Sequence, residues 1–159
     1  MKIGDVLKKE REATGLNRHR RFSVEEMASA LEIPTEEYRT LESGSSDVEV
    51  WFPLLCRLAV EFETPTSRLL ADSGQAKDAR PGQAGTLVRL RREERGFTVD
   101  EIAETLRLPV ADYVEIEKGR SGIERYGPLL LRFSELIEQP IFNLYLPCGV
   151  PYDQLDDYP

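Results

Sequence analysis

The chain has few of the residues that build metal, disulfide or catalytic sites. Its 159 residues include two cysteines, Cys56 and Cys148, and one histidine, His19. Two cysteines without a partner pattern do not form a disulfide framework, and no Cys/His spacing predicts a metal site. His19 has no nucleophile or carboxylate placed beside it by sequence, and no phosphate-binding loop is present. We therefore expect no metal, no cofactor and no enzymatic activity.

Long apolar runs and an excess of positive charge are also missing. No apolar run approaches the 18 residues that a membrane helix needs, so we expect a cytoplasmic protein with no membrane partner. The formal net charge is −8. An acidic chain binds DNA weakly in a non-specific way, because that affinity comes largely from Lys and Arg neutralising phosphates. A local basic patch remains compatible with this balance.

An internal repeat dominates what the sequence does contain. Residues 98–145 repeat residues 23–70 with a displacement of 75 positions and no gap, and 17 of the 48 aligned pairs are identical. A period this long matches a small domain better than a solenoid unit, so the repeat should set the architecture. We therefore expect two copies of one helical domain.

Each copy shows signals for five short helices. Ser23 with Glu26, and Thr98 with Glu101, have the spacing of a capping box at the start of the second helix. Gly96 suits a left-handed cap after the first helix of the second copy. The apolar positions recur at helical spacing, and Cys56 falls on one of them as a core residue. The sequence therefore predicts an all-α protein.

The repeated pattern is Ser/Thr-x-x-acid-apolar-Ala-x-x-Leu-x-apolar-Pro-x-x-x-Tyr-x-x-apolar-Glu-x-Gly, followed by a polar loop and a Leu-rich helix. It resembles the Cro/lambda-repressor-like, or Xre-type, helix-turn-helix family. The resemblance covers residues 3–71 and 85–146 and implies two tandem five-helix lambda-repressor-like domains. The expected organisation is a first domain over 1–72 with a basic insertion at 16–22, a linker over 73–84, a second domain over 85–146, and an acidic C-terminal tail over 147–159.

The resemblance also implies which side chains would meet DNA. The third helix of such a domain lies in the major groove, while the start of the second helix and the loop after the third contact phosphates. The first copy has about eight extra residues before its second helix, and their arginines would grip phosphates. The candidate DNA-binding residues are Arg18, Arg20, Arg21, Ser23, Thr35, Glu36, Glu37, Arg39, Thr40, Ser45, Ser46, Thr98, Lys118, Arg120 and Ser121.

Two functions remain open from the sequence. The first is a transcriptional regulator that binds specific double-stranded DNA, mainly through the first domain. The second is a protein-interaction module, such as an antirepressor, DNA mimic or scaffold, that kept the fold and binds little or no DNA. Acidic residues at the expected groove-facing turns, Glu36, Glu37 and Asp112, favour the second function. A protein partner or a homodimer is compatible with either.

Overall fold

The computed structural model describes residues 2–13, 22–139, 141 and 144. Within these residues the chain is all-α, with nine α-helices and no strand. None of these helices combines the length and the apolar character that crossing a membrane requires. The helices are α1 Ile3–Glu12, α2 Val24–Ala30, α3 Thr35–Ser43, α4 Val48–Glu61, α5 Thr66–Leu70, α6 Gln83–Glu94, α7 Val99–Leu106, α8 Val110–Glu117 and α9 Gly122–Leu136.

The helices follow the repeat. The pairs α2 and α7, α3 and α8, and α4 and α9 are related by 75 positions. The pair α1 and α6 is related by 81 positions, because their contacts match when Gly4 is aligned with Gly85 and Arg11 with Arg92. The first copy therefore has six extra residues between its first two helices, fewer than the expected eight.

Several predicted residues lie outside the part of the chain that the structure describes. They are Arg18, Arg20 and Arg21 of the basic insertion, the tail 147–159, and most of the predicted fifth helix of the second copy.

The local signals in the sequence produce the expected helix ends. Ser23 Oγ accepts from the Glu26 amide at 3.0 Å, and Thr98 Oγ1 accepts from the Glu101 amide at 3.1 Å, so both predicted capping boxes are confirmed. Gly96 has a φ of 76°, the left-handed cap expected after α6. Cys56 is fully buried in α4, as predicted.

The two copies share one continuous apolar core. α4 packs against α9, and α5 packs against both α6 and α9. The expected linker, 73–84, contains a 3-10 helix over Ala76–Asp78, and the Ala76 amide donates to the Glu135 carboxylate at 3.0 Å. Helix α6 begins at Gln83 rather than at 85. The segment between the copies is therefore packed onto α9, and the copies form one body through these contacts.

Candidate nucleic-acid interface

An arginine–glutamate pair fixes the third helix of each copy. Arg11 donates to Glu42 through Nε at 2.6 Å and Nη2 at 3.0 Å, and its Nη1 donates to the Phe22 carbonyl at 3.0 Å. Arg92 donates to Glu117 at 2.6 and 3.2 Å, and to the carbonyl of Phe97, which precedes the N-cap of the second helix, at 2.9 Å. The hydrogen bond to the carboxylate raises the pKa of each arginine. One side chain therefore ties the first helix to the third helix and to the start of the second.

These pairs correct two interpretations of the sequence. The position of Glu42 and Glu117 before a glycine turn favours a role in holding backbone amides, and helix spacing favours an outer, solvated Arg92. Instead the carboxylates accept from arginines, and the Arg92 side chain is 12% exposed. The sequence repeat does not point to Arg11, because the two arginines are related by 81 positions, whereas the two glutamates follow the repeat at 75.

A second glutamate caps the first helix of each copy. The Glu49 carboxylate accepts from the amides of Ile3 at 2.7 Å and Gly4 at 2.9 Å. The Glu124 carboxylate accepts from Gly85 at 2.6 Å and Gly82 at 3.1 Å. A carboxylate at a helix N-terminus satisfies free amides and complements the helix dipole. Both glutamates therefore stabilise the fold rather than present an open charge.

The third helix of the first copy presents acids, and its one cation is already paired. Glu36 is exposed and Glu37 is half-buried in the first turn, which begins at Thr35. Arg39 forms a salt bridge to Glu36 and donates to Glu25 of α2 at 2.9 Å. Thr40 donates through its hydroxyl to the Glu36 carbonyl at 3.0 Å. The exposed face of α3 therefore carries negative charge around a neutralised arginine.

The corresponding turn of the second copy has no cation. Val110, Ala111 and Asp112 are all exposed, and Val110 is one of the large apolar side chains with substantial exposure, 43%. Such a turn offers a methyl-rich surface and one carboxylate. The turn has no long side chain that could donate a hydrogen bond to the edge of a base.

The loops after α3 and α8 differ in charge. Ser45 shares a hydrogen bond with the hydroxyl of Ser43, and Ser46 Oγ accepts from the Val48 amide at 3.1 Å. The second copy has the exposed Lys118, Arg120 and the capping Ser121, whose Oγ accepts from the Ile123 amide at 3.2 Å. Arg120 pairs with Glu115 at 3.0 Å, but both side chains are about half exposed. Among the described loops, the second copy therefore has the more cationic one.

The copies contact one another in a reciprocal way. Trp51 of α4 lies against Gly122, the first residue of α9. Tyr126 of α9 donates to Asp47, which immediately precedes α4. Trp51 is equivalent to Tyr126, and Asp47 is equivalent to Gly122, so the same two positions of the repeat meet in both directions. A two-fold relation produces such an exchange, and the contact places Trp51 between the two copies.

The reciprocal contact brings the first turns of α3 and α8 to the same end of the molecule. Arg125 of α9 pairs with Glu37 of α3 at 3.4 Å. It also borders a cavity of about 630 Å³ together with Asp112 and Glu115 of α8 and Trp51 of α4. Helices α3 and α8 therefore both begin beside the crossing of α4 and α9.

Comparison with known proteins adds no relative. No family model matches the chain, and no curated protein and no solved structure matches it.

Proposed function

We propose that the chain is a tandem helix-turn-helix protein that binds duplex DNA and regulates transcription. The carrying observation is the reciprocal α4–α9 contact, which presents the two third helices at one end of the molecule. Helix-turn-helix proteins meet two-fold DNA sites with paired copies whose third helices face the duplex together. The capped second helices and the fixed third helices supply the rigid unit that such contact needs.

Two groups of cations support this proposal. The basic insertion of the first copy contains Arg18, Arg20 and Arg21. The loop after α8 contains Lys118 and Arg120. Both groups fall where the resemblance implies phosphate contacts, so DNA affinity should depend on both copies.

The test is duplex-DNA binding by the full chain at low and physiological salt, with genomic fragments of the source organism as ligands. Replacing Arg18, Arg20 and Arg21 by alanine should weaken binding and make affinity less dependent on salt. The log–log slope should fall by about 0.9 for each phosphate that these arginines neutralise. Arg89→Ala, which removes an exposed arginine of α6, is the matched control. Wild-type protein that enriches no fragment at either salt would contradict the proposal.

The acidic first turns support a second candidate, a protein-interaction module that binds a basic partner. This candidate is supported by the ion pairs of Arg39 with Glu25 and Glu36, which leave α3 with a net negative face. Carboxylates beside phosphates repel DNA, whereas they attract a basic protein surface.

The two candidates separate in one charge-neutralising variant, E36Q/E37Q/D112N. If the protein binds DNA despite these carboxylates, the wild type binds duplex DNA and the neutralised variant binds it more tightly. If they exclude DNA, the wild type does not bind and the variant gains affinity that salt abolishes. A wild type that binds DNA well removes the second candidate.

A further inference from the structure

A cavity of about 500 Å³ lies between the inter-copy segment, the loop after α8 and the first turns of α9. Three arginines from these three elements border it: Arg80, Arg120 and Arg125. The rest of its lining is partly apolar, with Ala79, Pro81 and Pro128. This size falls in the range of small-molecule sites, which combine an apolar surface with a few polar groups that orient the ligand.

The described residues of the first copy form no such cluster. At the positions of Arg120 and Arg125 it has Ser45 and Val50. The side chain of Lys2 lies over its glycine turn, with the ammonium donating to the Gly44 carbonyl at 3.3 Å. Among the described residues this arginine cluster therefore belongs to the second copy alone, and the shared fold does not require it.

The residues that line the cavity carry more positive than negative charge. Glu124 is the one acid of the lining, and both of its oxygens accept backbone amides of α6 and the preceding turn. Arg120 pairs with Glu115, and Arg125 pairs with Glu37 at 3.4 Å. Both arginines are about 60% exposed, and exposed ion pairs of this kind are weak. Arg120 and Arg125 also border a neighbouring cavity that contains Asp47 and Asp112. Because these aspartates repel an anion, it would approach from the side of Arg80.

One of these arginines is already oriented. The Arg125 guanidinium lies 4.9 Å from the centre of the Tyr126 ring, a cation–π contact that restricts its position. The N-terminal end of the 15-residue helix α9, capped by Ser121, lies at the same cavity and adds positive potential there.

We propose that this cavity binds a phosphate group, held by Arg80, Arg120 and Arg125, with the proline and alanine surface accommodating an apolar part of the same molecule. Planar guanidinium groups match phosphate oxygens in two-point hydrogen bonds, which favours phosphate over a spherical anion. The phosphate has two possible sources, a free small molecule and the backbone of DNA. The proposal rests on the cavity itself and does not require the DNA-binding function.

The experiment titrates ¹⁵N-labelled full-length protein with inorganic phosphate and with phenyl phosphate, at constant ionic strength set by chloride. Amide shifts should be largest at Gly82, Gly119 and Ser121, and phenyl phosphate should bind more tightly than inorganic phosphate. The double variant R120S/R125V gives the cavity the residues of the first copy and should weaken binding by about tenfold or more. Arg80→Ala, in the exposed inter-copy segment, should also weaken binding without perturbing the helices.

Arg89→Ala serves as control, since Arg89 is an exposed arginine of the adjacent helix α6 outside the cavity lining. Shifts that are absent with both phosphates, or equal in the wild type and both cavity variants, overturn the proposal. A duplex DNA competitor then identifies the source: displacement of phenyl phosphate assigns the cavity to the DNA backbone, and retention assigns it to a free small molecule. Phosphate binding without DNA binding refutes the proposed function and leaves the site standing.

Discussion

At the scale of single residues, both copies contain the same arginine–glutamate pair, although its arginines are related by 81 positions and its glutamates by the 75 of the sequence repeat. In each pair the two side chains are about 10% exposed, and the carboxylate receives two donors. Removing one partner of a buried pair leaves an uncompensated charge, which costs far more than losing an exposed pair. The pair therefore holds the third helix in the orientation on which either proposed function depends.

Glu42→Ala and Glu117→Ala should each lower the free energy of unfolding by about 3–5 kcal/mol. Urea denaturation followed by circular dichroism measures this. Arg39→Ala is the control, because both partners of its ion pair to Glu25 are about half exposed or more, and the decrease should be about 0–1 kcal/mol. Equal decreases in all three variants would contradict the structural role of the buried pairs.

Tyr38 and Tyr113 make a second residue-scale prediction. Both are fully buried, and neither hydroxyl has a hydrogen-bond partner among the described residues. Burial raises the pKa of each, and the adjacent glutamate, Glu42 or Glu117, raises it further. A raised pKa in the folded state means that the stabilisation is complete below the unfolded pKa, near pH 10, and is lost as pH rises above it.

The wild type should therefore lose stability above about pH 10 by about 1.4 kcal/mol per pH unit for each of these tyrosines. The double variant Y38F/Y113F should be about as stable as the wild type at pH 7, since it removes two hydroxyls without partners. Above pH 10 its stability should fall less steeply. Parallel curves of stability against pH for the two proteins would show that these hydroxyls do not ionise on unfolding as described.

At the scale of helices, close backbone contact positions the first helix against the third. A methyl group on Gly85 would lie 2.6 Å from the Glu117 carbonyl oxygen and 2.7 Å from that of Ile116. A methyl group on Gly4 would lie 2.7 Å from the Glu42 carbonyl oxygen. These neighbours are backbone atoms, which cannot rotate away as a side chain can. Glycine is therefore required at the crossing in both copies.

Gly85→Ala should destabilise the protein by about 1–3 kcal/mol, because overpacking against the backbone outweighs the higher helix propensity of alanine. Thermal or urea unfolding measures the change, and Gly4→Ala should behave alike. Arg89→Ala, at an exposed site of the same helix, should stay within about 0.5 kcal/mol of the wild type. A stabilised Gly85→Ala variant would mean that α6 and α8 can separate at no cost in free energy.

At the scale of the whole molecule, the two copies contact each other most closely where α4 packs against α9. Besides Trp51 and Tyr126, Arg57 of α4 donates to the carbonyls of Thr105 and Leu106 at 2.7 and 3.2 Å. Gly127 of α9 has the Leu70 side chain against it. Because one apolar core spans both copies, unfolding either copy exposes surface on the other.

The chain should therefore unfold in one cooperative transition. Its single tryptophan, Trp51, lies between the copies and reports their contact, while circular dichroism reports the helices of both. The two signals should have the same urea midpoint in the wild type. Gly122→Leu should displace the Trp51 ring and move the fluorescence and circular dichroism transitions together to lower urea. Separate transitions in the wild type would show that the copies unfold independently.

The helices could be predicted from the sequence because they depend on local interactions. The capping boxes, the left-handed Gly96 and the apolar spacing depend on residues within a few positions of each other, so the all-α class, the helix order and the repeat follow from sequence alone. The exposure of the acids of α3 and α8 could also be predicted, because helix periodicity places them on an outer face.

Only the tertiary structure decided how the charges are used. Arg11 meets Glu42, Arg39 meets Glu25, and Arg125 meets Glu37 across distances in the chain that no periodicity encodes. The same holds for the reciprocal contact of the copies and for the arginine-lined cavity, whose lining comes from three separate segments. Local hydrogen bonding determines each helix, whereas packing of the joined core determines which charges pair and which face a ligand.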